Sequence, residues 1–163
     1  KKINKSLDES TTSQLTNSVL TFSDLITNRK TDYKFDLEKF TNVNGKTGIY
    51  IQYAQVRAKK LLQGLKNNTP STLIVNEVDN KLLSKLFLFG YFLEKSASLN
   101  EPHHLANYLY EISNLFNQFY EYEKISDITD LDQITSKTYI INLFLTTSSN
   151  AMLCLGISPV SKM

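Results

Sequence analysis

Apolar side chains recur every three or four positions along most of this chain, and little interrupts them: its 163 residues include five glycines and three prolines. That spacing matches the turn of an α-helix and conflicts with the strict alternation of a half-buried strand. The predicted fold class is all-α, a single-domain bundle of about five main helices over residues 1–163. A first helix is predicted from Asp8 to Asn28, with Leu15, Val19, Phe22, Leu25 and Ile26 on one side, ending in the basic turn "TNRKTDY". "FDLEKF" can form at most a short helix, and "TNVNGKTG" carries the Asn and Gly of a loop. A second long helix is predicted from Thr47 to Gly64, stopped by that glycine and the loop "KNNTPS". A third follows Pro70 and carries "LLSKLFLFGYFLEK", apolar on most sides and so expected at the centre. The fourth opens at "NEPHHL", with Asn100 as cap and Pro102 in the first turn. The last runs from about Gln133 to Leu155, and Gly156 leaves "ISPVSKM" as a tail with too few apolar residues to anchor it by burial.

Composition narrows the function classes. With 41% apolar and 21% charged residues the chain is globular. A net charge of +2 rules out a basic coat, so any polyanion site must be a local concentration of Lys and Arg. Cys154 is the sole cysteine, which excludes an internal disulfide and favours the cytoplasm. No apolar stretch approaches the roughly 18 to 20 residues of a membrane span, and the polar start lacks the apolar centre of a signal peptide. A start without methionine suggests a piece of a longer chain.

Catalytic and metal chemistry find little support. His103 and His104 are the only histidines, and neighbours on a helix point about 100° apart, a poor arrangement for one ion. No Cys, Asp or Glu cluster stands beside them at metal-ligand spacing, so no metal site is predicted. The one thiol lies far along the chain from either histidine, and no phosphate loop, GxGxxG or conspicuous carboxylate pair is present. No catalytic residue is assigned.

"GIYIQYAQVRAKKLL" is different. On a helix Tyr50, Tyr53 and Arg57 fall at i, i+3 and i+7 on one stripe, with Gln52 and Lys60 close by, while Ala54, Ala58, Leu61 and Leu65 form a separate packing stripe. Tyrosine faces can stack unpaired bases, and arginine can stack or bind phosphate, as single-stranded RNA loops require. The same spacing fits half-buried rings with hydroxyls at the surface. In "YLYEISNLFNQFYEYEK", Tyr108, Leu109, Ile112, Leu115, Phe116 and Phe119 read as packing, and Tyr120 can face outward.

Taken together, "LTFSDLITNRKTDYKFDLEKF", "GKTGIYIQYAQVRAKKLL", "NEPHHLANYLYEISNLFNQFYEYEKI" and "LGISPVSKM" resemble the C-terminal anticodon-binding domain of arginyl-tRNA synthetases, an α-helical domain named after its D-A-L-R signature. The second stretch matches the family's Gly-x-Thr-(Gly/Ala)-Pro-Tyr-(Leu/Ile)-Gln-Tyr-Ala-x-x-Arg. Ile49 stands in place of the usual proline, and Lys137-Thr138 in place of the usual Arg-Leu. The resemblance implies RNA contact by Tyr50, Tyr53, Arg57, Lys60, Tyr120 and Met163: stacking by Tyr50 and Tyr53, phosphate or base contact by Arg57, apolar pocket walls from Tyr120 and Met163. Lys59 and Lys60 would act through the general field.

The implied partner is the anticodon loop of arginine tRNA, with no DNA and no membrane. Every arginine anticodon has a central cytosine, whose pairing edge offers one amino donor and two acceptors. The resemblance also implies a separate catalytic domain, using ATP and Mg, that makes the intact chain an arginine–tRNA ligase. Neither a His-x-Gly-His nor a Lys-Met-Ser-Lys-Ser motif is present, so this segment alone is expected to be inactive and to hold no cofactor. The alternatives are a related helical domain of another aminoacyl-tRNA synthetase, or a non-catalytic helical interaction module.

Overall fold

A computed structural model describes residues 8–32, 34, 36–65, 69–122 and 124–163. Tyr33 and Phe35, which carry part of the resemblance, and residues 66–68 of a predicted loop lie outside the described residues. Among the described residues seven α-helices follow one another, α1 (Glu9–Leu25), α2 (Leu37–Phe40), α3 (Gly48–Leu62), α4 (Glu77–Leu86), α5 (Phe89–Leu99), α6 (His103–Tyr122) and α7 (Leu131–Cys154), with a single 3-10 turn (Ile125–Asp127) before the last. No strand occurs among the described residues, as the three-and-four spacing requires.

Side-chain caps fix several helix starts, two of them at the predicted starts Asp8 and Thr47. Asp8 accepts from the Thr11 amide at 2.7 Å and opens α1. Thr47 accepts from the Tyr50 amide at 3.1 Å and opens α3. Asn76 and Asp79 form a reciprocal capping box at α4. Asn100 departs from expectation: it adopts a left-handed conformation (φ 52°) and closes α5 instead of capping α6. Asparagine tolerates that conformation, so the residue read as a start serves as a stop.

The predicted third helix is two. Its chain breaks at Phe87 and Leu88, and α4 and α5 bury only a narrow seam: Leu82, Leu83 and Leu86 in α4, then Ser96, with Phe92 and Leu93 half-buried. The apolar residues off that seam stay in solvent, with Phe87 75% and Tyr91 57% exposed. The central element is instead α6, which packs against α1, α3, α4, α5 and α7. Tyr108, Leu109, Ile112 and Phe116 are fully buried on it, and Phe116 stacks on Phe144 of α7 with ring centroids 4.1 Å apart.

Two polar ties cross this interior. Lys137 of α7 donates to both carboxylate oxygens of Asp79, at 2.8 and 2.9 Å, with both residues buried. The ammonium also lies 5.2 Å from the Phe119 ring. The Tyr108 hydroxyl donates to the Leu86 carbonyl at 3.1 Å, and burial raises its pKa.

The tail is anchored, contrary to the sequence reading. Ile157 and Val160 are fully buried, and Gln52 of α3 holds the intervening backbone from both sides. Its Nε2 donates to the Ser158 carbonyl at 2.8 Å, and its Oε1 accepts from the Val160 amide at 2.9 Å. Lys59 donates to the Val160 carbonyl at 2.8 Å, and Lys162 pairs with Asp8 at 3.0 Å. Hydrogen bonds to buried backbone supply what two apolar residues alone could not.

Candidate nucleic-acid interface

The entry of α3 is set by close approach to α1. A Cβ on Gly48 would meet the Ser18 carbonyl oxygen at 2.2 Å, so only glycine allows the two backbones to touch. Thr47 adds a hydrogen bond from its hydroxyl to the Asn42 carbonyl at 2.7 Å. Ile49, in the place where the resemblance expects proline, is 3% exposed and packs with Val19 and Phe40. Burial of a branched side chain there orients the first turn that presents Tyr50.

From that start, the predicted stripe faces α6. Tyr53 and Tyr120 are each 37% exposed, and the Arg57 guanidinium carbon lies 4.2 Å from the Tyr53 ring centroid and 4.6 Å from that of Tyr120. The same guanidinium donates to the Tyr53 hydroxyl at 2.9 Å and to Asn117 Oδ1 at 3.0 Å, and pairs with Glu121 at 3.5 Å. Five contacts on one planar group fix its plane between two aromatic faces that remain open to solvent. Tyr50 is half-buried, donates to Asn114 Oδ1 at 3.1 Å, and lies 5.5 Å from Tyr110. Lys60 is exposed on the last turn of α3. Behind Tyr120, a cavity of about 470 Å³ opens between Leu61, Phe119, Lys124 and Ile125.

Two expected residues stand elsewhere. Gln52 is fully buried, committed to Ser18 at 2.7 Å and to the tail, and is no part of an exposed stripe. Met163 is half-buried against Val19, Phe40 and Ile49, so its link to the Tyr53–Arg57–Tyr120 cluster runs through the first turn of α3. Lys59 also leaves the field role predicted for it, since its ammonium is bound to the Val160 carbonyl and burial lowers its pKa.

Asn114, Asn117 and Glu121 were not singled out from sequence. They fall at i, i+3 and i+7 on α6, with Tyr110 four residues before Asn114, and this polar stripe on an otherwise apolar helix is the signal that could have marked them.

The histidines also require a correction. Their rings lie with centroids 4.1 Å apart, and Glu101 brings a carboxylate oxygen so near that one ligand atom from each of the three residues lies within 4.8 Å of the others. The loop before α6 places the acid there, which helical spacing could not reveal. Glu101 is engaged with Lys30 at 3.3 Å and with His104 at 3.2 Å, and desolvation lowers the His103 pKa. A cation at this point would face Lys30 and the positive end of the α6 dipole.

Comparison with known proteins agrees with this fold. The DALR anticodon binding domain model matches residues 51–163. The arginine–tRNA ligase of Francisella tularensis subsp. novicida is 35% identical over 133 residues, covering 76% of this chain and 23% of that protein. The arginine–tRNA ligase of Frankia casuarinae is 38% identical over 103 residues, 61% of this chain and 18% of that protein. Among solved structures, the arginyl-tRNA synthetase of Thermus thermophilus aligns over 98% of this chain and 28% of its own, with a TM-score of 0.90 at 21% identity. That of Plasmodium falciparum aligns over 94% of this chain and 28% of its own, with a TM-score of 0.82 at 24% identity. The chain thus spans about a quarter of the length of the Francisella and Thermus proteins. The chain belongs to the DALR anticodon binding domain family.

Proposed function

We propose that this chain binds the anticodon loop of arginine tRNA as part of an arginine–tRNA ligase. The observation that carries the reading is the Arg57 guanidinium held 4.2 and 4.6 Å from two half-open tyrosine rings, an arrangement suited to stacking an unpaired base beside a cation. Tyr53 and Tyr120 supply the aromatic faces, Arg57 contacts phosphate or base, Lys60 adds field, and Tyr50 supports the platform through Asn114 and Tyr110. The cavity behind Tyr120 has the volume and apolar lining of a small-ligand pocket and can accept a splayed base. Met163 supports the first turn by packing against the cluster that contains Ile49.

In this reading, joining arginine to the tRNA with ATP and Mg is the work of a catalytic domain of the same protein, in the cytoplasm, and this chain contributes recognition. The test is binding of a panel of anticodon stem-loops at two salt concentrations. Arginine stem-loops are expected to bind more tightly than the others at both. Equal binding of every stem-loop, with the same steep salt dependence, would reduce the site to a general phosphate surface and overturn the reading.

A further inference from the structure

Spacing along the chain argues against a metal at His103 and His104, because neighbouring positions on a helix diverge. The fold overrides that argument by bringing a third group to them. Asn100 turns left-handed at the end of α5, and the loop it opens is held at both ends. The Glu101 amide donates to the Ser96 carbonyl at 3.0 Å, and the Leu105 amide to the Ser96 hydroxyl at 2.9 Å. Asn107 donates to the His103 carbonyl at 2.8 Å. Glu101, His103 and His104 thus stand on fixed backbone, and their ligand atoms lie within 4.8 Å of one another. His104 Nε2 and a Glu101 carboxylate oxygen are already 3.2 Å apart. With metal–ligand bonds of about 2.0–2.2 Å, the ligand atoms of a tetrahedral ion lie roughly 3.4 Å apart, so one edge of such a site is in place. His103 supplies an independent sign. Its Nδ1 is buried with no hydrogen-bond partner among the described residues, an uncommon state for a polar atom and one that calls for a partner from outside the protein.

The geometry points to a site in which Glu101, His103 and His104 bind one zinc-like divalent ion, with water completing the coordination and the Lys30 ammonium displaced. Two imidazole nitrogens and one carboxylate oxygen suit zinc, and offer too few oxygens for calcium or magnesium. Lys30 holds the ion's place by charge. Its ammonium lies 3.3 Å from Glu101 Oε1, and its side chain is 72% exposed, so it can swing into solvent at little cost. Lys95 adds positive charge near His103, and the start of α6 adds its dipole. These oppose the ion and set the affinity below that of a closed four-ligand zinc site. None of the three ligands belongs to the Tyr53–Arg57–Tyr120 cluster, so the site stands apart from the proposed RNA contact.

The experiment is calorimetric titration of the untagged chain with zinc chloride at about pH 7.5, where ordinary imidazole is neutral. Cys154→Ser is carried throughout, because the exposed thiol is a zinc ligand in its own right. One ion per chain is expected to bind, and the NMR signals of both histidine rings, the only two in the chain, should shift together as it does. Glu101→Gln and His104→Asn should each weaken binding at least about 10-fold. Both side chains are only partly buried and bond outside the core, so the helical circular dichroism of the two variants should match that of the parent. Lys30→Gln removes the competing ammonium without touching a ligand and should tighten binding about two- to fivefold. No binding up to about 1 mM zinc, a shift of one ring alone, or an affinity untouched by Glu101→Gln and His104→Asn would overturn the site. Unchanged or weaker binding in Lys30→Gln would overturn the displacement of Lys30.

Discussion

Helix α3 carries two polar stripes with the same spacing and opposite fates. Tyr50, Tyr53 and Arg57 occupy i, i+3 and i+7, and so do Gln52, Gln55 and Lys59, two positions further along. The first stripe ends at a solvent-open cluster facing α6. The second is sealed: Gln52 and Gln55 are buried, with Gln52 bound to Ser18 and the tail, Gln55 to Ser148 and Ser149 of α7, and Lys59 to the Val160 carbonyl. The comparison teaches that polarity along a helix does not locate its outer face. Here amides serve as internal clasps, Gln52 for tail backbone groups that need partners and Gln55 for hydroxyls of α7.

Breaking the sealed face should have the largest effect. Removing Ser158–Met163 takes away the burial of Val160, strands the Gln52 oxygen and leaves its nitrogen only Ser18, an expected loss of about 4 kcal/mol, or about 8–16 °C in Tm. Gln52→Ala should cost about 3 kcal/mol by leaving the Ser158 carbonyl and Val160 amide unpaired. Urea unfolding measures both, and a loss below about 1 kcal/mol in either would mean the tail is merely laid on the surface.

Changes on the open face should reverse the pattern. Tyr53→Ala is expected to weaken stem-loop binding by about 1–3 kcal/mol, while stability moves by less than about 0.5 kcal/mol. Arg57→Lys keeps the charge but loses the planar fork between the two rings, so it should impair discrimination among stem-loops more than a point-charge role allows. A Tyr53→Ala protein that loses stability and affinity in proportion would place the ring with the core.

The adjacent lysines offer a finer contrast. Lys59→Gln should lower stability by about 1 kcal/mol through the lost contact with Val160 and leave the salt slope alone. Lys60→Gln should do the opposite, reducing the slope by about 0.7–0.9 without a change in Tm. Identical effects of the two would erase the distinction between the faces.

The smallest effect is in pH dependence, remote from both stripes. Desolvation lowers the His103 pKa below 6.5, so the unfolded chain binds more protons than the folded one just below that value, and stability rises with pH there. The Tm is expected to fall slightly between pH 7 and pH 5.5, and His103→Asn should flatten that part of the curve. A Tm that climbs as the pH drops would contradict the desolvation of this half-buried ring.

Much of this was legible in the sequence because it depends on neighbours. The helical class follows from apolar spacing, the helix starts at Asp8 and Thr47 from the local pattern, and the packing face of α6 from Tyr108 through Phe119 at helical intervals. The alignment of Tyr53 and Arg57 also needs only one turn of helix. What the tertiary structure decided is which stripe of α3 meets solvent, because that depends on segments far along the chain. Gln52 reaches a tail more than a hundred residues away, and Arg57 finds its second ring, Tyr120, on α6. Asn100 could cap either of two helices until its backbone went left-handed, and Glu101 met the histidines only once the loop was closed. Spacing within a helix sets which side chains share a face. The partner across that face is chosen by packing, and packing alone made one of two equivalent stripes a clasp and the other an open surface.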